Sequence, residues 1–290
     1  MKTYLDCIPC LFKQVLDSAR MYSSDTMVHE KIVRDVMGWC KDMDMSKPIP
    51  IMGLRVYRRL REITGVADPY HAAKMRQNRM ALRLLPELRS AMKNARDTFA
   101  LAVKISIAGN IIDMGGAGDT SLAGVRKALH HAMTEPLKGN IPAFKRAAKK
   151  ADNILYLTDN AGEIVFDRLL IEQLAPAKVT VAVRGKPALN DALMADARTA
   201  GLHKIAKVID NGSDAPGTVL EETSDSFNAA FKSADMVIAK GMGNYETLCE
   251  APRRVYFLFK AKCPMVAKNS GVCVDNQVLT KTKCKRTALV

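Results

Sequence analysis

No run of about twenty apolar residues occurs in this 290-residue chain, so it offers no segment suited to cross a bilayer as a helix. The opening residues, Met1-Lys2-Thr3-Tyr4-Leu5-Asp6, lack the apolar core of a secretory signal, and the expected location is the cytoplasm. Aromatic residues are scarce at 6% and do not interleave with the basic runs, which argues against a platform for stacking nucleic-acid bases. Acids are in deficit too, 30 against 44 Lys and Arg, for a formal net charge of +14. Such a charge predicts weak, salt-sensitive adsorption to polyanions and steering of anionic substrates, not a specific nucleic-acid partner. The cations are dense at 55–61, 76–89, 145–150 and 281–286; beside the first run Val56, Leu60 and Ile63 recur at helical spacing, so its charges read as a solvated face.

A complete disulfide framework is also missing, because seven cysteines are an odd number, which fits a reducing compartment. Only Cys7 and Cys10 have ligand-like spacing, and two thiols cannot close a tetrahedral zinc site without help from Cys263 or Cys273. The pair opens an apparent helix over 11–21, and structural packing, an auxiliary metal site and redox chemistry are the three readings it admits. The loop Gly115-Gly116-Ala117-Gly118-Asp119 lacks the Gly-Lys-Ser/Thr ending of a nucleotide phosphate loop and follows no clear strand, so it reads as a connector over a cleft.

What is present is a chain 48% hydrophobic, enough for a substantial core. Up to about residue 150, segments 26–41, 53–63, 69–84 and 90–105 carry apolar residues at helical spacing. Beyond it, apolar strands at 153–158, 179–184, 205–209, 236–239 and 255–259 alternate with helical stretches at 163–174, 189–200, 217–232 and 245–249. The fold expected is α/β: a mostly parallel, Rossmann-like three-layer sandwich in the C-terminal half, preceded by an N-terminal helical bundle. The organisation expected is a helical region at 1–107 packed closely on an α/β region at 108–290 that binds metal and phosphate.

The ends of those strands carry the chemistry. Strand 153–158 leads into Asp159-Asn160-Ala161-Gly162-Glu163, and strand 179–184 into Gly185-Lys186-Pro187-Ala188-Leu189-Asn190-Asp191. Open α/β sheets bind ligands outside the carboxyl ends of their strands, and neighbouring parallel strands lie about 5 Å apart, close enough for both ends to reach one ion. Asp159, Asn160 and Asp191 thus make a candidate all-oxygen site for a divalent cation such as Mg²⁺ or Mn²⁺; the plain alternative is that Asp159 and Asn160 cap the next helix. Strand 236–239 ends in Lys240-Gly241-Met242-Gly243-Asn244-Tyr245-Glu246, where a Lys and backbone amides near Gly241 and Gly243 suit a phosphate. Asp210-Asn211-Gly212 repeats the acid–amide pair after another strand, although Asn-Gly is commonly a plain turn.

In this order, Cys7-Ile8-Pro9-Cys10, Gly109-Asn110-Ile111-Ile112-Asp113, Asp159-Asn160-Ala161-Gly162-Glu163, Asn190-Asp191 and Lys240-Gly241-Met242-Gly243-Asn244-Tyr245-Glu246 resemble the damage-control phosphatases, metal-dependent proteins once grouped as domain of unknown function 89. The Cys pair with a Gly-Asn-aromatic-Glu segment is similar to a small prokaryotic subgroup, with Tyr245 where Phe would be expected. The resemblance implies hydrolysis of small phosphometabolites, including sugar phosphates and damaged or side-product phosphates, with a divalent cation such as Mg²⁺, Mn²⁺, Co²⁺ or Ni²⁺. It also implies that Asn110 and Asp113 lie at the active site, against the plain reading that they are turn polarity, and that a Lys near Lys262 meets phosphate. The expected roles are then Asp159, Asn160 and Asp191 as metal ligands, and Asp159 as nucleophile or as ligand alone. Lys240, Gly241, Gly243, Asn244 and Lys262 would form the phosphate cradle. A phosphometabolite-binding module without turnover and a nucleic-acid-binding protein are the competing classes.

Overall fold

Apolar stripes at helical spacing wind the first part of the chain into helices, and β-branched runs extend the second part into strands. The computed structural model describes residues 1–112 and 121–282, so Asp113, the glycine loop at 115–119 and the basic tail from 283 lie outside the described residues. The elements are α1 (Cys7–Tyr22), α2 (Thr26–Cys40), α3 (Pro50–Thr64), α4 (His71–Lys93), α5 (Thr98–Ala108), α6 (Leu122–Thr134), β1 (Leu137–Lys138), α7 (Ile141–Lys150), β2 (Ile154–Leu157), α8 (Glu163–Ile171), β3 (Val179–Val183), α9 (Met194–Thr199), β4 (Lys207–Asp210), α10 (Asp225–Ser233), β5 (Met236–Lys240), α11 (Gly241–Leu248), β6 (Val255–Lys260), α12 (Pro264–Ser270) and β7 (Gln277–Lys281).

The strands form one seven-stranded sheet in the order β1-β7-β6-β5-β2-β3-β4, parallel except where β7 runs against β6. The chain builds outward from β2 through β3 to β4, then returns to lay β5 on the other side of β2. The direction of winding therefore reverses between β2 and β5, the place where such sheets open a crevice. Leu157 pairs with Ala182 on β3 and Ala239 on β5, so these three strands end level.

One face of the sheet, with Tyr156, Val181, Ile238 and Leu258, packs in a single core with α4 to α9. The other face, with Leu155, Leu157, Val237 and Phe257, packs against α10, α11 and α12. Mixed α/β with a mostly parallel sheet and a helical N-terminal part is what the sequence predicts. The seam differs: α4 and α5 share the core of the sheet, and only α1 to α3 have a cluster of their own, so a division at residue 107 cuts through one core.

Element boundaries depart from expectation for identifiable reasons. α4 continues through Pro86 to Lys93 because Leu84, Leu85, Leu88 and Met92 continue its buried stripe, outweighing the ~3 kcal/mol an interior proline costs. The break falls instead before Asp97, whose carboxylate accepts from the Ala100 amide and starts α5. Residues 191–193 are held by bridges to Asn160 and Arg184, which delays α9 to Met194. β1 and β7 were not expected, and α11 starts at Gly241 rather than 245. The Cys pair opens the first helix as expected, although α1 starts at Cys7 rather than at 11. Among the described residues no helix is long and apolar enough to cross a membrane.

α11 lies against β6, with the Tyr245 ring edge-on to Phe257 at 5.1 Å and its hydroxyl donating to Asn269 Oδ1 at 2.7 Å. On the same helix, burial pushes the Glu246 carboxyl up to about 7. The folded protein then holds this proton at pH values where the unfolded chain has released it. The stability this confers is complete below the ordinary carboxylate pKa of 4.5 and is lost as pH rises through about 7. Thermal melts should show Glu246→Gln matching the parent at pH 4.5 and exceeding it at pH 8; equal melting temperatures at pH 8 would refute a neutral Glu246.

Candidate active site

Beyond the level ends of β2 and β3 the two chains stay zipped together. Thr158 donates to Ala182 O from both its amide and its hydroxyl, each at 3.0 Å. Then Ala161 N donates to Asn190 O at 2.9 Å and Ala192 N to Asp159 O at 2.8 Å, forming a one-pair antiparallel bridge between Asn160 and Asp191. Hydrogen bonds that flank a pair in this way leave its Cα atoms about 4.5 Å apart with side chains on one face. The bridge sets Asp191 opposite Asn160, the neighbour of Asp159, and all three are less than a tenth exposed.

Hydrogen bonds orient these side chains. The Asn160 amide nitrogen donates to Asp159 Oδ2 at 2.8 Å and Glu163 Oε2 at 3.0 Å. The Asn110 amide nitrogen donates to the same two oxygens at 3.2 and 3.0 Å. Carboxylates accept and never donate when ionised, so the nitrogen of each amide must face them, which turns the Asn160 carbonyl oxygen away from them. Arg184, 3% exposed, donates from Nε to Asp191 Oδ2 at 2.6 Å. Beneath Asp159, Gly241 has φ +77°, and a Cβ there would overlap the Asp159 carboxylate. The carboxylate therefore rests at the start of α11, the positive end of its dipole.

Lys240 is turned inward and does not face the mouth of the crevice. It is fully buried, and its ammonium donates to Glu163 Oε1 at 2.5 Å, Asp167 Oδ1 at 2.7 Å and Ser106 O at 2.8 Å. Three protons meet three acceptors, which leaves none for a phosphate and corrects the expected direct contact. The cause lies on α8, where Glu163 and Asp167, one turn apart, present two buried carboxylates to the end of β5. Burial alone would lower the Lys240 pKa, but the Asp167 and Glu163 carboxylates outweigh it and move it upward, so the ammonium stays charged. Burial also pushes the Asp167 carboxyl up, although it accepts from Lys240, from the Ser106 hydroxyl at 2.7 Å and from the Tyr156 hydroxyl at 2.9 Å.

Asn244 is likewise committed to the protein. Its amide nitrogen donates to Thr158 O at 3.1 Å and Lys240 O at 2.7 Å, and its Oδ1 accepts from Thr218 at 2.7 Å and Arg184 at 3.4 Å. With both protons and both lone pairs used, Asn244 clamps the ends of β2 and β5 and is not the phosphate donor expected. Gly243 packs against Gly217. Lys262 is half-buried at the end of β6 and donates from Nζ to Asn110 O at 3.0 Å, which brings it to the rim of the cluster. Asn211 forms a turn, accepting from the amides of Gly185 and Ser213 at 3.0 Å each.

Cys7 is buried and Cys10 exposed, both free thiols, and burial pushes the Cys7 thiol up. Among the described residues no group of three or more His, Cys, Asp or Glu side chains gathers to hold a metal. A cation at the strand ends would rest on two carboxylates and an amide carbonyl. Glu163, Arg184 and Asn78 were not assigned to the site from sequence. Glu163 stood in a quoted motif and Arg184 closed a strand, but Asn78, in mid-helix on α4, accepts from Gly162 N at 2.7 Å without any local signal.

A family profile described as the damage-control phosphatase ARMT1-like domain matches residues 3–278. A damage-control phosphatase of Archaeoglobus fulgidus is 36% identical over 278 residues, spanning 94% of this chain and 96% of its own. A protein of Methanocaldococcus jannaschii described as uncharacterized is 38% identical over 290 residues, spanning 95% and 94%. The crystal structure of a Pyrococcus horikoshii protein of the domain-of-unknown-function-89 family superposes with a TM-score of 0.88 at 31% identity, over 98% of this chain and all of that one.

Two substitutions test the geometry. Lys240→Met leaves Glu163 and Asp167 buried without their counter-charge and should cost about 3–5 kcal/mol in denaturant unfolding. A loss below about 1 kcal/mol, the scale of an exposed pair, would contradict the burial. Gly241→Ala should cost about 1–2 kcal/mol for its positive φ, and should lower phosphate-ester turnover more than tenfold by displacing Asp159. Retained turnover with normal folding would mean that the Asp159 position is not critical.

Proposed function

The chain belongs to the damage-control phosphatase ARMT1-like domain family, and from that membership we propose that it hydrolyses small phosphometabolites with a divalent cation held by Asp159, Asn160 and Asp191. The observation that supports this reading is the Asn160–Asp191 bridge, which pairs Asp191 with the residue that follows Asp159 at the point where the sheet reverses its winding. Two carboxylates and an amide carbonyl form a hard, all-oxygen donor set that suits Mg²⁺ or Mn²⁺ and admits Co²⁺ or Ni²⁺. When bound, the cation would polarise a phosphate oxygen and offset negative charge developing during transfer.

The remaining work falls to the chain itself. Asp159, its Oδ2 fixed by two amide donors, is the carboxylate beside the reacting phosphorus and the candidate nucleophile. Arg184 holds Asp191 in place. Lys240 acts as a positioning residue: it fixes Glu163, which in turn accepts from Asn110 and Asn160. Lys262 is the cation closest to hand for the other phosphate oxygens, together with the amide at the start of α11. Sugar phosphates and side-product phosphates are the substrate class, drawn in by the net charge of +14.

Asp159→Asn and Asp191→Asn keep side-chain size while removing the ligand charge. Each should lower turnover of 4-nitrophenyl phosphate by about a hundredfold or more and abolish saturable Mn²⁺ binding in calorimetry, with an unchanged far-ultraviolet dichroism spectrum. EDTA should silence the parent, and added Mn²⁺ should restore it. Metal and phosphate binding without hydrolysis would point to a sensor. Binding of nucleic acid that survives Asp159→Asn and fades steeply with salt would point to the basic surface instead.

A further inference from the structure

At the opposite end of the sheet, where β2 and β3 begin, a cavity of about 580 Å³ opens between the start of α5, the end of α7 and the connection into β3. Four cations line it, Arg96, Lys145, Lys149 and Lys178, against one acid, Asp97, with Phe99 alongside. Lys145 lies 3.3 Å from Asp97, and Lys178 lies 2.7 Å from Asp152. Among the described residues, Arg96 and Lys149 have no carboxylate within ion-pair distance. The one lining acid is already engaged, since Asp97 also accepts from the amide of Ala100.

Ordinary helix electrostatics account for only part of this arrangement. Lys149 ends α7 and complements its negative pole, but that explains one cation and not four around one cavity. Like charges facing a concave, low-dielectric wall repel one another and concentrate the field on whatever enters. The volume falls within the range of roughly 300–1,000 Å³ typical of small-molecule sites. Lys145 is set against Asp97 and Lys178 against Asp152, so Arg96 and Lys149 make a surplus of two positive charges, and an anion of two or more linked phosphates carries enough charge to meet both. α5, with 11 residues at about 1.5 Å each, spans the distance from this cavity to Ser106 and the catalytic floor, so the two sites do not share residues.

We propose that this cavity is a second anion site, one that binds a small polyphosphate carrying two or more phosphate groups. The test is calorimetric titration of the full-length protein with inorganic tripolyphosphate in EDTA at physiological salt. Without a divalent cation the strand-end carboxylates repel the probe, so the result is independent of the phosphatase reading. The parent should bind one tripolyphosphate per chain, and Asp159→Asn should bind it equally well. The double variant Arg96→Ala/Lys149→Ala should bind at least about tenfold more weakly, the scale of losing charge-assisted contacts. The double variant Lys31→Ala/Lys41→Ala removes the same charge from α2 and the residue that caps its end, away from the cavity, and should stay within about twofold of the parent. Absence of saturable binding in the parent, undiminished binding in the cavity variant, or an equal loss in the α2 variant would each overturn the proposal.

Discussion

One buried ammonium holds the crevice together. Lys240 ends β5, yet it binds side chains of α8 and a carbonyl of α5, so a single group ties the sheet to two helices of one layer. Removing an ion from water costs several kcal/mol, and only close counter-charges repay this. Glu163 and Asp167 supply them, and Glu163 then passes the constraint upward through Asn110 and Asn160 to Asp159. Each group in this chain is less than a tenth exposed, so none can reorient without stranding its neighbour.

The same cluster carries a charge imbalance. Four buried acids, Asp159, Asp191, Glu163 and Asp167, outnumber the two buried cations Lys240 and Arg184, with Lys262 half-buried at the rim. On the proposed reading a divalent cation offsets that acidic excess, whereas a phosphate arriving alone would meet repulsion. Burial pushes the Asp167 carboxyl up, which lessens the negative charge deep in the cluster. A cation between Asp159 and Asp191 would lessen it at the strand ends.

Much of this was legible in the sequence, and the illegible parts share a cause. Strand ends bearing Asp159-Asn160, Asn190-Asp191 and Lys240-Gly241 announce a crevice, because apolar runs and the polar turns that follow them are local features. The direction in which Lys240 points is not local. It depends on Glu163 and Asp167 approaching from α8, more than seventy residues away along the chain. Asn244 and Arg184 were hidden in the same way, since a clamp between strands cannot be seen until the strands are side by side. The seam before α4 and the helix through Pro86 likewise follow from a shared hydrophobic core that no local window contains.

The net charge of +14 therefore does not describe the crevice, whose buried groups are predominantly acidic. Among the described residues, four cations line the cavity at the far end of the sheet and others lie on helical faces. A phosphate ester would feel attraction at long range and repulsion at the strand ends, and a bound divalent cation reverses the second without altering the first. On the proposed reading this enforces an order in which the metal binds before the phosphate. On that reading, buried acids at one end of β2 and exposed bases at the other would let a cationic protein hold a cation in its crevice and still gather anions from solution.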